Sequence, residues 1–172
     1  QSYYFAYGSN LNKDDLKGFC ERANVPYCDL NPVGVVQLPD YRLSFSRYSQ
    51  GRRGGALNVV PNVGDVVEGM LFKVPDATAW ETLDRKEGHP FAYEKRTVQL
   101  FDDRGQMIEG VTYVVREELE EDFVKPAASY VEVVKRGLEA FDMPTDALLA
   151  AARNKLMPPT IDAVFTYGTL MR

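Results

Sequence analysis

The hydrophobic and polar positions of the chain alternate over short stretches more often than they repeat at helical spacing. The segment Arg42-Leu43-Ser44-Phe45-Ser46 alternates cleanly, which is typical of a half-buried strand, and several apolar runs of similar length end at turn residues. A strand over residues 56–60 is expected to end at Pro61, because proline lacks the N–H that a strand interior needs. The predicted strands cover residues 3–7, 33–36, 42–46, 56–60, 66–74, 93–101, 106–115 and 163–167.

Fewer segments show helical periodicity. The clearest covers residues 76–87, with Asp76 as its N-cap and Gly88 as its stop. The other predicted helices cover residues 13–20, capped by Asn10 or Asn12, 127–141 and 144–155. Strands outnumber helices and follow one another in hairpin-like succession. The predicted fold class is therefore α+β, a small mixed barrel or curled sheet with helices packed outside.

One short phrase occurs near both ends of the chain. Phe5-Ala6-Tyr7-Gly8-Ser9-Asn10-Leu11 matches Phe165-Thr166-Tyr167-Gly168-Thr169-Leu170, and the two Tyr-Gly pairs lie 160 positions apart. Repetition at one domain length predicts a domain over residues 1–160, followed by a tail over 161–172 that is similar to the first strand of that domain. A second, similar domain is therefore expected in the full-length chain.

Composition and charge exclude several classes of partner. The chain has 172 residues, 45% of them hydrophobic, and a net charge of −5, which is typical of an ordinary globular domain. The densest basic spot is Arg52-Arg53, so neither nucleic acid nor a membrane surface is expected as a partner. No apolar run approaches the ~20 residues that span a bilayer, and a cytoplasmic location is expected.

The chain has few histidines and cysteines with which to bind a metal ion. His89 is the single histidine, and Cys20 and Cys28 are the two cysteines. A histidine-rich metal site or a Ser-His-Asp triad is hard to build from this set, so no metal and no other cofactor is expected. The two thiols are expected to be reduced and structural.

Glu87 has an unusual position on its predicted helix. Trp80, Leu83 and Glu87 fall on one face, and the first two mark that face as buried. Burial and the negative end of the helix dipole both disfavour a charged carboxylate there, so the pKa of Glu87 should be raised. A carboxyl that titrates nearer neutrality is suited to general acid/base catalysis. Alternatively, the helix ends a turn early and the side chain extends into solvent.

Four segments occur in an order and at a spacing that match a known family. They are Tyr7-Gly8-Ser9-Asn10-Leu11, residues 53–61, residues 64–72 and Leu83-Asp84-Arg85-Lys86-Glu87-Gly88, with Ser129-Tyr130 and Gly137 in support. On these motifs the chain resembles the γ-glutamylcyclotransferase-like superfamily. The tail phrase Tyr167-Gly168-Thr169-Leu170 is similar to the AIG2-like branch of the same superfamily.

The resemblance implies a barrel-like mixed fold and a metal-free γ-glutamyl cyclotransferase reaction. In that reaction the free α-amino group of a γ-glutamyl unit attacks its own γ-amide carbonyl, which gives 5-oxoproline and releases an amine or amino acid. Because the nucleophile belongs to the substrate, no catalytic serine or cysteine is required, and proximity supplies much of the rate. Glu87 matches the family's catalytic glutamate.

The resemblance also implies a substrate-binding set. It consists of Tyr7, Gly8, Ser9, Asn10, Leu11, Tyr93 and Tyr130. The loop over residues 7–10 has a physical interpretation of its own, because a strand that ends in Gly-Ser-Asn can turn successive backbone N–H groups toward one anion. Such a nest suits the substrate α-carboxylate or a developing oxyanion.

Several alternatives stay open at this point. The chain could be a non-catalytic ligand-binding module of the same fold, or an acyl transferase or amidohydrolase that uses Ser9. Arg47, Arg52 and Arg53 could meet a substrate carboxylate or be solvated, and His89 could tune Glu87. The released group could belong to a glutathione-like peptide, a γ-glutamyl amino acid, a γ-glutamylamine or a protected natural product.

Overall fold

Five strands and four α-helices make up the described part of the chain, residues 2–156 of a computed structural model. The strands are β1 (Ser2–Ala6), β2 (Asn31–Ser49), β3 (Gly54–Val74), β4 (Tyr93–Phe101) and β5 (Met107–Val115). The helices are α1 (Lys13–Ala23), α2 (Ala77–Glu87), α3 (Ala128–Ala140) and α4 (Asp146–Ala152), with 3-10 turns at Ser9–Leu11 and Glu117–Leu119.

The strands close into a barrel in the order β1-β3-β2-β4-β5. Neighbouring strands are antiparallel except for β1 and β5, which run parallel and close the barrel where Tyr4 pairs with Val111. Phe5 and Phe45 are completely buried in the core, and Tyr113 is 2% exposed. The predicted α+β class, with a small mixed barrel and helices outside it, is confirmed.

β2 and β3 form one long hairpin instead of four separate strands. The predicted strands 33–36 and 42–46 are joined in β2, and those at 56–60 and 66–74 are joined in β3. Three register shifts along the hairpin allow the two strands to bend while they stay paired. The sequence pattern marks only the regular parts of such a ribbon, because the bulged residues interrupt its alternation.

The expected strand end at Pro61 is wrong. Pro61 lies opposite Tyr41 of β2, beside a register shift, and its side chain is exposed. Within the described residues, β1 pairs with β3 only over residues 70–74, so the other edge of β3 has no strand neighbour at Pro61. The missing N–H therefore interrupts no ladder on that edge.

The helix caps agree with the sequence pattern. The Asn12 side chain accepts a hydrogen bond from the Asp15 backbone N at 3.1 Å and caps α1, which runs past its predicted end. The Asp76 side chain accepts from the Ala79 backbone N at 2.8 Å and caps α2. Gly88 ends α2 in the left-handed conformation, with φ of 66°. The last helix, α4, is shorter than predicted.

Gly137 allows α3 to lie directly against the turn that follows β1. A Cβ atom built at Gly137 would lie 2.7 Å from Leu11 Cβ and 2.9 Å from Asn12 N, which is closer than real Cβ contacts. The Asn12 side chain also donates to the backbone oxygen of Val133 at 3.0 Å. The position of residues 9–12 therefore depends on the absence of a side chain at Gly137.

Other predictions concern the thiols and the tail. Cys20 and Cys28 are buried and free, and burial raises the pKa of Cys28 to about 11. The predicted strand 163–167 and the tail over 161–172 lie outside the described residues. None of the helices within residues 2–156 is long and apolar enough to cross a membrane.

We expect Gly137→Ala to destabilise the protein although alanine is the better helix former. The helix gains about 1 kcal/mol from the exchange, but overpacking against Leu11 and Asn12 costs roughly 1–3 kcal/mol. The measurement is the melting temperature, which should fall by a few degrees. The control is Gly34→Ala, where an added Cβ has no neighbour within 4 Å. A melting temperature that rises in Gly137→Ala would show that residues 9–12 can shift to accommodate the added methyl group at little cost.

Candidate active site

Glu87 lines two neighbouring spaces of the molecule. The outer space is an open cavity of about 330 Å³, and the inner one is a narrow chamber of about 30 Å³ lined largely by tyrosine rings. The residues that line both are Ser9, Glu87, Tyr93 and Tyr130. Four residues predicted from the sequence are thus brought together.

Each of these residues stands at or near the end of an element. Ser9 begins the 3-10 turn after β1, and Glu87 is the last residue of α2. Tyr93 is the first residue of β4, and Tyr130 lies in the first turn of α3. Because the barrel fixes the ends of these elements, the site is assembled from three distant parts of the chain, with Glu87 and Tyr93 in the same part.

The carboxyl of Glu87 is held by the loop after β1. Asn10 Nδ2 donates to Glu87 Oε1 at 2.9 Å and to the Tyr4 hydroxyl oxygen at 2.9 Å. Asn10 is 4% exposed, and its Oδ1 is buried without a hydrogen-bond partner within the described residues. That oxygen is an unused acceptor beside the carboxyl of Glu87.

Burial raises the pKa of Glu87. The charge of Lys86, the hydrogen bond from Asn10 and the charges of Arg52 and Arg47 act in the opposite direction without cancelling the effect of burial. The carboxylate is therefore a stronger base than an ordinary glutamate. The alternative in which Glu87 extends into solvent does not describe this side chain, which is bonded to Asn10.

Tyr93 and Tyr130 meet at the backbone of Leu57 in β3. The Tyr93 hydroxyl donates to the Leu57 backbone oxygen at 2.8 Å, and the Leu57 backbone N donates to the Tyr130 hydroxyl at 3.4 Å. Burial raises the pKa of Tyr130 to about 12, so its hydroxyl stays protonated near neutral pH. Since the Tyr130 oxygen accepts from Leu57, its hydrogen can be donated toward the cavity.

The loop after β1 presents backbone N–H groups beside the inner chamber. Within the 3-10 turn, Leu11 N donates a hydrogen bond to Gly8 O at 3.1 Å, and Asn12 N donates one to Ser9 O at 2.9 Å. The N–H groups of Ser9 and Asn10 precede these bonds and have no partner inside the turn. Gly8, Ser9 and Asn10 all line the inner chamber.

Two other predicted residues have different positions. The Tyr7 ring lines the inner chamber, while its hydroxyl donates to the backbone oxygen of Tyr113 at 2.6 Å. Leu11 is 2% exposed in the hydrophobic core and lines neither space. Leu11 therefore anchors the loop in the hydrophobic core and reaches neither space.

A partly buried ion cluster, which sequence reasoning missed, contributes Arg52 and Lys86 to the wall of the outer cavity. Arg52 donates two bonds to Asp15, at 2.8 and 2.7 Å, and Lys86 Nζ lies 3.1 Å from Asp15 Oδ2. Burial alone would raise the pKa of Asp15, but the bonds from Arg52 and the charge of Lys86 outweigh it and lower the pKa. Lys86 Nζ also donates to Ser9 Oγ at 2.8 Å. In the sequence, Asp15 is visible only as an acidic residue in the first turn of the predicted helix.

The remaining candidates differ in their access to the cavity. Arg47 lines the outer cavity, and its guanidinium carbon lies 5.3 Å from the centre of the Tyr93 ring. Arg53 and His89 line neither space. The His89 ring packs edge-on against Tyr113 with 6.3 Å between ring centres.

A larger cavity, of about 430 Å³, lies between the β2–β3 hairpin and α4. It contains neither Glu87 nor the loop residues Gly8 to Asn10, and Tyr7 is the only member of the predicted set that lines it. Within the described residues, no group of three or more His, Cys, Asp or Glu side chains is placed to hold a metal ion.

Comparison with protein families identifies the chain. The family model described as gamma-glutamyl cyclotransferase, AIG2-like, matches residues 4–132, which is well over half of the chain. The chain therefore belongs to this family.

Solved structures show the same fold. A structure named gamma-glutamyl cyclotransferase has a TM-score of 0.72 and 22% identity, over 96% of this chain and 93% of that chain. An uncharacterized protein from Homo sapiens has a TM-score of 0.72 and 22% identity, over 99% and 95%. YkqA from Bacillus subtilis has a TM-score of 0.71 and 24% identity, over 89% of this chain and 53% of that chain. A comparison with curated proteins finds no match.

The pKa of Glu87 predicts a pH-dependent effect of Glu87→Gln on stability. Because the folded-state pKa is raised, the folded protein keeps a proton that the unfolded chain releases. The stability contributed by Glu87 is thus lost as the pH rises from the usual glutamate range through the folded pKa. Calorimetry should find a gain in melting temperature for Glu87→Gln at neutral pH that disappears near pH ~4.

The matched control is Glu81→Gln, which removes an exposed carboxyl from the same helix. A Glu87→Gln protein that is much less stable than the wild type at neutral pH would contradict this account. In that case the ionised carboxylate would be a structural partner of Asn10.

Proposed function

We propose that the chain is a γ-glutamyl cyclotransferase. The observation that carries the proposal is the carboxyl of Glu87, whose pKa is raised and which is held by Asn10 beside both the inner chamber and the outer cavity. Family membership supports the same reaction. The direct test is to incubate the protein with a panel of γ-glutamyl compounds and to measure the release of 5-oxoproline.

In the proposed arrangement the scissile amide lies beside Glu87. The α-carboxylate of the γ-glutamyl unit lies against the N–H groups of Ser9 and Asn10, and the α-amino group lies near Asn10 Oδ1, the unused acceptor. The leaving group then extends into the outer cavity. This orientation brings the α-nitrogen close to the γ-carbonyl carbon, which favours ring closure.

Glu87 moves the protons of the reaction. Its carboxylate takes a proton from the α-ammonium group, which exposes the nitrogen lone pair, and a C–N bond forms to the γ-carbon. When the tetrahedral intermediate collapses, the bond to the leaving nitrogen breaks, and that nitrogen departs as an ammonium with the two protons that the attacking nitrogen has lost. The ring nitrogen keeps one hydrogen, and no water is consumed.

The neighbouring cations and Tyr130 assist these steps. Positive charge from Arg52 and Lys86 disfavours the ammonium form of the substrate and promotes its deprotonation. The Tyr130 hydroxyl is a donor for the oxyanion that develops on the γ-carbonyl oxygen. The substrate supplies the nucleophile, and these protein groups supply the positive charge and the hydrogen-bond donor.

We expect Glu87→Gln to lower kcat by ~10²–10⁴-fold, the usual range for a positioned general acid/base. The amide keeps the size of the side chain and an oxygen that accepts from Asn10, but it cannot carry a proton. Substrate affinity, measured by calorimetry, should change little. The exposed-site variant Glu81→Gln should turn over at the wild-type rate. A near-normal kcat in Glu87→Gln would remove this residue from the mechanism.

We expect Ser9→Ala to reduce turnover only mildly. Ser9 Oγ accepts a hydrogen bond from Lys86, an ammonium paired with Asp15, so no adjacent base is free to activate the hydroxyl as a nucleophile. Gly8→Val should raise KM strongly, because a Cβ meets only Leu57 Cδ2 at 3.8 Å and the added methyl groups occupy the chamber. Steady-state kinetics checks both variants. Complete loss of turnover in Ser9→Ala would instead favour a Ser9-based acyl transferase or amidohydrolase.

A further inference from the structure

The outer cavity carries more positive than negative charge. Its lining includes Arg22, Arg47, Arg52 and Lys86, and Glu87 is the one carboxylate among the lining residues. Asp15, behind the wall, accepts from both Arg52 and Lys86 and offsets one of these charges. Even with Glu87 ionised, two positive charges are left without a counterion.

The two arginines without a carboxylate partner are Arg22 and Arg47. Within residues 2–156 neither arginine forms a salt bridge. Arg47 Nη1 donates to the backbone oxygen of Tyr48 at 3.1 Å, and the guanidinium also interacts with the Tyr93 side chain. Arg47 Nε is buried and has no hydrogen-bond partner in the described part of the chain. A buried N–H donor without an acceptor is costly. The Arg47 guanidinium therefore fits a ligand that brings an anionic oxygen.

This charge lies in the space assigned to the leaving group. Arg22 and Arg47 line the outer cavity and do not line the inner chamber, whereas the loop residues Gly8 and Asn10 line the inner chamber and not the outer cavity. The two proposed anion sites therefore lie in different spaces, and Glu87 lines both of them. A cavity of about 330 Å³ also has room for an amino acid or a short peptide.

We infer that the leaving group of the substrate ends in a carboxylate that binds Arg47, with Arg22 at the rim. The substrate class is thus γ-glutamyl amino acids or γ-glutamyl peptides, in preference to γ-glutamylamines. This inference rests on the proposed function for the position of the scissile amide. Arg47 is a specificity-determining residue in this account, because it contacts the released part of the substrate and neither donates nor accepts a proton in the reaction.

The test compares γ-glutamyl-alanine with γ-glutamyl-ethylamine, whose leaving groups differ by one carboxylate. The wild type should prefer γ-glutamyl-alanine by about 10–100-fold in kcat/KM, the range for a hydrogen-bonded charge pair. In Arg47→Gln most of this preference should disappear through a higher KM for γ-glutamyl-alanine. Arg47→Lys should restore part of it, and Arg22→Gln should have a smaller effect in the same direction.

Controls separate this role from others. Lys13→Gln removes an exposed cation from α1 outside the cavity and should leave the preference at the wild-type value. Melting temperatures establish that each variant is folded. If Arg47 binds the α-carboxylate instead, Arg47→Gln will weaken both substrates equally. That result, or a wild type that prefers γ-glutamyl-ethylamine, overturns the inference.

Binding to Glu87→Gln distinguishes failure of this inference from failure of the proposed function. Calorimetry with the two compounds needs no turnover. Suppose that the wild type releases no 5-oxoproline, that Glu87→Gln binds γ-glutamyl-alanine more tightly than γ-glutamyl-ethylamine, and that this difference disappears in the Glu87→Gln, Arg47→Gln double variant. The assigned ligand class would then be supported, and the proposed reaction would be wrong. If neither compound binds, the assignment of the ligand class is wrong.

Discussion

The hydrogen bond from Asn10 to Glu87 is the interaction on which the site depends. It joins the turn after β1 to the last residue of α2, two segments separated by 77 positions in the chain. One end of the bond fixes the loop that presents N–H groups, and the other fixes the carboxyl that carries protons. If the bond were lost, the anion-binding and proton-transfer groups would no longer share one geometry.

The barrel makes this bond possible. Parallel pairing of β1 with β5 carries the end of β1 toward the start of β4, and Gly137 lets α3 hold the turn from the other side. On α2, the Asp76 cap and the left-handed Gly88 determine where the helix starts and stops, and so where Glu87 lies. Helix capping and one close helix contact therefore position the side chains of Asn10 and Glu87, which the barrel strands alone do not place.

Local patterns in the sequence predicted a large part of this structure. Capping chemistry marked both ends of α2, and the face that contains Leu83 indicated that Glu87 was directed inward. Contacts between distant segments could not be predicted in this way. Asp15 has an ordinary position in the first turn of α1, and only the fold brings it to Arg52 and Lys86. Likewise, Pro61 ends a strand by local rules, and the free edge that tolerates it exists only in the folded hairpin.

Opposing electrostatic effects meet at Glu87. Burial raises its pKa, while Lys86, Arg52 and Arg47 lower it. The pKa of Glu87 in the absence of a ligand is therefore the net result of opposing effects. A ligand carboxylate bound at Arg47 would offset part of the positive charge and would exclude water from the cavity. Both changes increase the affinity of Glu87 for a proton. For the proposed substrate class, binding of the leaving group would therefore make Glu87 a stronger base when the α-ammonium group must lose its proton. Recognition at Arg47 and proton transfer at Glu87 are in this way coupled through the charge of the cavity.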